Sequence, residues 1–121
     1  MEHGTVNWVQ VDTDDAEGAK RFYGDLFGWT FADDPSSGGR YHLATRKGAT
    51  APHGGIADTK GDSPNRATFV VLVDDVAAAA AEAERLGGKV VTPPTTTPAG
   101  LTFADLQDPS GNFFGIYRPP A

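Results

Sequence analysis

Val9-Gln10-Val11-Asp12-Thr13-Asp14-Asp15, running on to Leu26-Phe27-Gly28-Trp29, returns later in altered form as Val71-Leu72-Val73-Asp74-Asp75, running on to Leu86-Gly87-Gly88-Lys89-Val90. Asp15, Leu26 and Gly28 recur sixty positions on as Asp75, Leu86 and Gly88. One offset shared by three landmarks marks an internal repeat, and a repeat constrains architecture before any single residue does.

Outward from the first copy, Val6 to Val11 reads as a strand, with Val9 and Val11 on one face and Trp8, Gln10 and Asp12 on the other. Asp14 is placed as the N-cap of a helix from Ala16 to Leu26, whose Ala19, Phe22, Tyr23 and Leu26 make one apolar stripe. Gly28 stops that helix, and strands follow at Trp29 to Phe31, Tyr41 to Thr45 and Ala49 to Ile56. The second copy repeats the order: a strand over 67–73, a helix over 76–86 capped by Asp74 or Asp75, and strands from Lys89, over 101–106 and over 113–117. Pro93, Pro94 and Pro98 bar an interior strand over 92–100, so that stretch is predicted as an extended loop. The fold class is α+β, one domain of two βαβββ modules (4–58 and 66–118) joined by a polar linker at 58–65. A sheet this small cannot cover both its faces alone, so the modules are expected to pack together.

Composition narrows the function classes. With no cysteine, disulfides, thiolate metal sites and cysteine nucleophiles are excluded, which fits a cytoplasmic protein. A net charge of −6 with no basic patch argues against nucleic acid as a partner. No apolar run reaches the roughly 18 residues of a membrane span, and no signal-peptide core opens the chain. No serine stands with a histidine and an acid at a recognisable spacing, and Gly87-Gly88 ends a helix rather than opening one on a phosphate.

Three stretches carry a family resemblance: Phe22-Tyr23-Gly24-Asp25-Leu26-Phe27-Gly28-Trp29, Val73-Asp74-Asp75-Val76, and Asp108-Pro109-Ser110-Gly111-Asn112-Phe113-Phe114-Gly115-Ile116-Tyr117. With the paired βαβββ pattern they cover almost the whole chain, which resembles the vicinal oxygen chelate superfamily of glyoxalase I, extradiol dioxygenases and bleomycin-resistance proteins. The resemblance implies a half-open β-cup that binds small molecules, often beside a divalent metal, and a chain that pairs as a homodimer. Its enzymes hold the metal with His, Glu or Gln at four slots. Carried onto this sequence, those slots hold Trp8, Gly55, Thr68 and Gly115. None of these is a ligand that a divalent cation favours.

The cup implied by those substitutions is apolar. Trp8 offers a flat stacking face and one indole donor. Gly55 and Gly115 leave room, or let a backbone approach closely. Phe113 and Tyr117 flank Gly115, and Thr68, Val70 and Leu72 share the facing strand. Gln10, His53, Thr68 and Tyr41 supply the few polar groups that a small organic ligand needs. The expected function is metal-free binding of an aromatic or polycyclic metabolite or antibiotic, with no cofactor. An enzyme is the alternative, either with a displaced metal on His53, Gln10 and Asp12 or with His53 as general base. A third is a ligand-less dimerisation or regulatory module whose aromatics fill the cup. His53 is placed on the cup face with Gly55, His42 at the surface, and His3 in a frayed terminus.

Overall fold

The computed structural model describes residues 2–120. They form two compact units, Trp8–Thr68 and residues 2–7 with 69–120.

In the first unit, strand β1 (Val6–Thr13, from Trp8 on) leads to helix α1 (Ala16–Phe27) and strands β2 (Thr30–Asp33), β3 (Tyr41–Thr45) and β4 (Gly54–Asp58). The sheet order is β2-β3-β4-β1, with β1 parallel to β4 and the other pairs antiparallel. The helix begins at Ala16, as its pattern suggests, but its cap is not the expected one. Asp15, not Asp14, is the N-cap, accepting from the Gly18 N–H at 2.9 Å. Asp14 is taken up by Asn65, whose side chain accepts from the Asp14 N–H at 3.0 Å and donates to its carboxylate at 3.2 Å. Gly28 ends α1 in the left-handed region at φ 76°, its N–H bonded to the Gly24 carbonyl.

The predicted apolar stripe of α1 is only partly buried: Phe22 is 61% and Leu26 58% exposed. Small residues make the close contact instead, with Ala16 buried and Gly24 so near that a Cβ there would sit 3.3 Å from the Trp29 carbonyl oxygen. β4 starts at Gly54 rather than Ala49, because Pro52 has no N–H to give a ladder and residues 46–49 close a turn. The stretch taken as a linker folds back on this unit, with Thr59 N–H on the Thr13 carbonyl and Asp62 N–H on the Thr59 carbonyl, both at 2.9 Å.

The second unit holds β5 (Arg66–Leu72, from Phe69 on), α2 (Val76–Arg85), β6 (Lys89–Thr96), β7 (Thr102–Gln107) and β8 (Phe113–Arg118), in sheet order β5-β8-β7-β6. Asp75 caps α2 through the Ala78 N–H at 3.0 Å. Val73, Val76, Ala80, Ala104, Leu106 and Ile116 form its core, where one apolar face of the sheet meets the alanine-rich face of α2. β6 runs on through Pro93 and Pro94 to Thr96, against the predicted loop. It can do so because it is an edge strand, where a missing donor faces no neighbour, and because its pairing with β7 shifts register twice around the prolines. The first residues are also tied in: Leu72 N–H reaches the Thr5 carbonyl at 2.8 Å and Asp74 N–H reaches His3 Nδ1 at 3.0 Å, so His3 is placed rather than frayed. Among the described residues no helix is long and apolar enough to cross a membrane.

The β7–β8 turn behaves as Asp108-Pro109-Ser110-Gly111-Asn112 suggests. Asp108 accepts from the Asn112 side-chain amide and from the Asn112 and Ser110 backbone N–H groups, each at 2.9 Å. Those donors, the Asn112 amide foremost, hold the Asp108 carboxyl below the ordinary aspartate range. A carboxyl depressed in the folded state contributes stability above its unfolded pKa, and that stability is lost as pH falls through the folded value. Asn112→Ala is therefore expected to raise the Asp108 pKa in a carboxyl NMR titration. An unmoved titration would remove Asn112 as the cause.

Candidate functional site

The alternation of β1 places Trp8, Gln10 and Asp12 on one face of the first unit, and the register carries that face across to Gly55 and Ala57 of β4 and to Tyr41 and Leu43 of β3. The opposite face, with Val9, Gly54, Ile56, His42, Ala44 and Phe31, is the one α1 covers.

On the open face the side chains join into one hydrogen-bonded row. Trp8 Nε1 donates to the Tyr41 hydroxyl at 2.9 Å, and Tyr41 Oη donates to Gln10 Oε1 at 3.1 Å. Gln10 Nε2 donates to Asp12 Oδ1 at 2.9 Å, and Arg66 Nε donates to Asp12 Oδ2 at 2.9 Å. The direction of the row follows from its charged end. Paired with Arg66, the Asp12 carboxylate only accepts, so the Gln10 amide must turn its nitrogen to Asp12 and its oxygen to Tyr41. Tyr41 must then donate to Gln10, which leaves its oxygen to receive the indole N–H. Asp12 is 6% and Arg66 27% exposed at the side chain, so this is a largely desolvated ion pair.

Gly55 explains how Tyr41 reaches this position. A Cβ at residue 55 would lie 2.3 Å from the Tyr41 ring, so the ring rests directly on the glycine backbone. The room expected above Gly55 is filled by Tyr41. The glycine is the condition for that close approach.

His53 does not join the row. Its ring lies edge-on to Trp29 with centroids 4.5 Å apart, and Trp29 in turn stacks on Tyr23 of α1 at 5.5 Å. It therefore stands on the helix side, with both ring nitrogens buried and without a hydrogen-bond partner. Strand alternation does not extend to it, because β4 begins only at Gly54. The cluster of His53, Gln10 and Asp12 is accordingly not assembled: Gln10 and Asp12 meet, and His53 is elsewhere. His42, expected at the surface, is buried on the same helix side and bonded through Nδ1 to Asp33 Oδ1 at 2.7 Å.

Thr68 of β5 is half-buried and two residues before Val70. In the second unit, Val70, Gly115, Asp105, Phe103 and Tyr117 share the face away from α2, with Val70 and Asp105 on either side of Gly115 in the ladder. Phe113 lies two residues before Gly115, on that same face. Tyr117 donates its hydroxyl to Asn7 Oδ1 at 2.6 Å. Sequence reasoning missed Arg66 and Asp105. The usable signal was a charged residue at an alternate position of an otherwise apolar strand.

A model of the Glyoxalase/Bleomycin resistance protein/Dioxygenase superfamily matches residues 5–116. The chain belongs to that superfamily. It is 36% identical over 121 residues to "Putative glyoxylase CFP32" of Mycobacterium bovis, covering 95% of this chain and 46% of that protein. It is 35% identical over 123 residues to "Anthracycline biosynthesis protein DauV" of Streptomyces sp. (strain C5), covering 93% of this chain and 41% of that one. The chain thus spans under half the length of these relatives. Among solved structures, the Mn(II)-bound glyoxalase of Novosphingobium aromaticivorans matches all of this chain and 41% of its own at a TM-score of 0.68 and 22% identity, a likeness of fold.

The superfamily's metal does not fit the residues present. At the first-unit slots, the Trp8 indole offers a donor already given to Tyr41, and the Gly55 position lies beneath the Tyr41 ring. Thr68 and Gly115 bring neither imidazole nor carboxylate to the other two. Among the described residues no three His, Cys, Asp or Glu side chains are grouped to hold an ion.

Proposed function

We propose that this superfamily member is a metal-free binding protein for a small planar molecule, an aromatic or polycyclic metabolite or antibiotic, received on the open face of the first unit. The observation that carries the reading is the row Trp8–Tyr41–Gln10, an aromatic surface with oriented amide and hydroxyl groups, in which Trp8 and the Gly55 beneath Tyr41 hold two of the slots that the resemblance assigns to metal ligands. Trp8 and Tyr41 supply area for stacking, Gln10 supplies orientation, and Thr68 adds a hydroxyl. A mostly apolar surface with few convergent polar groups is the usual make-up of such a site. Val70, Phe113 and Tyr117 are proposed as apolar lining on the face of their own unit. The likeness to an anthracycline biosynthesis protein supports a polycyclic ligand. A soluble, cytoplasmic homodimer completes the reading: relatives more than twice as long have room for a second unit of this size, and Phe22, Leu26 and Phe27 of α1 are more than half exposed.

The test is a calorimetric and tryptophan-fluorescence titration with a panel of tricyclic and tetracyclic aromatics, run with and without chelator, alongside sedimentation equilibrium. Saturable binding of unchanged affinity in chelator, weakened by Trp8→Ala, is the expected result. Binding that needs an added divalent cation, or no binding across the panel, would overturn the reading.

A further inference from the structure

The Gln10 amide makes one hydrogen bond through its oxygen and one through its nitrogen, which leaves one lone pair and one N–H unused among the described residues. Its oxygen receives Tyr41 Oη, and one nitrogen-bound hydrogen goes to Asp12 Oδ1. The second amide hydrogen has no acceptor among the described residues, although the side chain is half-buried beside the Tyr41 ring. It cannot be retired by rotating the amide. A flip would point Oε1 at the Asp12 carboxylate, placing acceptor against acceptor, and would take the acceptor away from Tyr41. Arg66 keeps Asp12 in the acceptor role, so the ion pair locks the donor in place.

An unmade N–H is the costlier of the two kinds of vacancy. A carbonyl with one hydrogen bond is already satisfied, whereas a donor stripped of water and left unpaired loses its full solvation. A flat molecule seated on Trp8 would displace the water from this hydrogen. It must then bring an acceptor of its own to that point.

We infer that Gln10 is the specificity-determining residue of the face, and that it selects planar aromatic carbonyl compounds, of which quinones and aryl ketones are the simplest, over aromatic hydrocarbons and over rings that present an N–H or amine there. The inference rests on the proposed ring-binding function and names its ligand class. Asp12 and Arg66 act as positioning residues through the amide, without touching the ligand.

Two probes of the same frame and charge separate the terms: anthraquinone-2-sulfonate, which carries ring carbonyl oxygens, and anthracene-2-sulfonate, which lacks them. Each is titrated by calorimetry into the wild-type chain and into Gln10→Met, which keeps the side-chain length without the donor. Wild type should bind the quinone roughly 10-fold or more tighter, the factor that one satisfied against one unsatisfied hydrogen bond implies. Gln10→Met should lose that preference, so that the ratio of the two affinities falls toward one whatever the absolute affinities become. Equal affinities in wild type, or a preference that survives in Gln10→Met, would overturn the anchor and leave ring binding standing. If neither probe binds wild type, the ring-binding reading fails and this inference with it. The wild-type comparison needs no variant, so the inference stays testable even if Gln10→Met is unstable.

Discussion

Arg66→Met is expected to lower the unfolding free energy by about 3 kcal/mol, the lower end of the range for breaking a buried ion pair. The cost lies in what remains. Asp12, 6% exposed at the side chain, would lose its cation and be left beside the Gln10 amide, and water cannot enter freely to replace the guanidinium. Arg66 is about a quarter exposed, which is why the lower end applies. The effect should reach beyond stability. With Arg66 gone, Asp12 Oδ2 loses the donor that fixes the carboxylate's orientation, so the Gln10–Asp12 bond and the row built on it lose their anchor. Urea unfolding followed by circular dichroism would show a lower midpoint at an unchanged slope. The double variant Asp12→Leu/Arg66→Met should recover part of the loss, because an apolar pair leaves no charge stranded. An unaltered midpoint in Arg66→Met would mean that the pair adds nothing net to the fold.

Gly54→Ala is expected to cost a similar amount, about 3 kcal/mol, at the upper end for overpacking, and to lower the melting temperature by roughly 10 °C for a chain this size. A Cβ at residue 54 would sit 2.4 Å from the Val9 carbonyl oxygen and 2.7 Å from Val9 Cγ2. The obstacle is the backbone of the paired strand, so relief requires moving β1 away from β4 along their parallel ladder. That ladder also sets Gln10 beside Gly55, so the displacement would disturb the polar row on the far face. At Gly55 the obstacle is the Tyr41 ring, which can swing aside at the expense of its hydrogen bonds to Trp8 and Gln10. Differential scanning calorimetry on Gly54→Ala decides the matter. A melting temperature within a degree or two of wild type would show that the two strands have slack that the geometry denies.

Much of this site was legible from strand alternation alone. Trp8, Gln10 and Asp12 could be assigned to one face because β1 is a regular strand, and Tyr41 followed because β3 has the bounds its pattern suggests. Where a residue stood outside a regular element, alternation carried no information. His53 precedes β4 by one position, and its ring went to Trp29 on the helix side. His42 shows the complementary failure: its strand was recognised, yet its facing needed the pairing with Asp33 and Ile56.

The sequence by itself determined the repeat, the order of strands and helices, the glycine stop of α1 and the Asp108 turn, because each rests on residue identities and on interactions between residues a few positions apart; the choice of Asp75 over Asp74 as the cap of α2 came from the structure. Through the family resemblance it also implied metal slots at Trp8, Gly55, Thr68 and Gly115, residue types that a divalent ion does not favour. Tertiary structure alone decided that Gly55 is a seat for Tyr41, that Arg66 pairs with Asp12 across 54 positions, and that the amide of Gln10 points one way. Those facts depend on distances between strands far apart in the chain, and on the rule that a buried charge must be matched by donors wherever in the sequence they happen to lie.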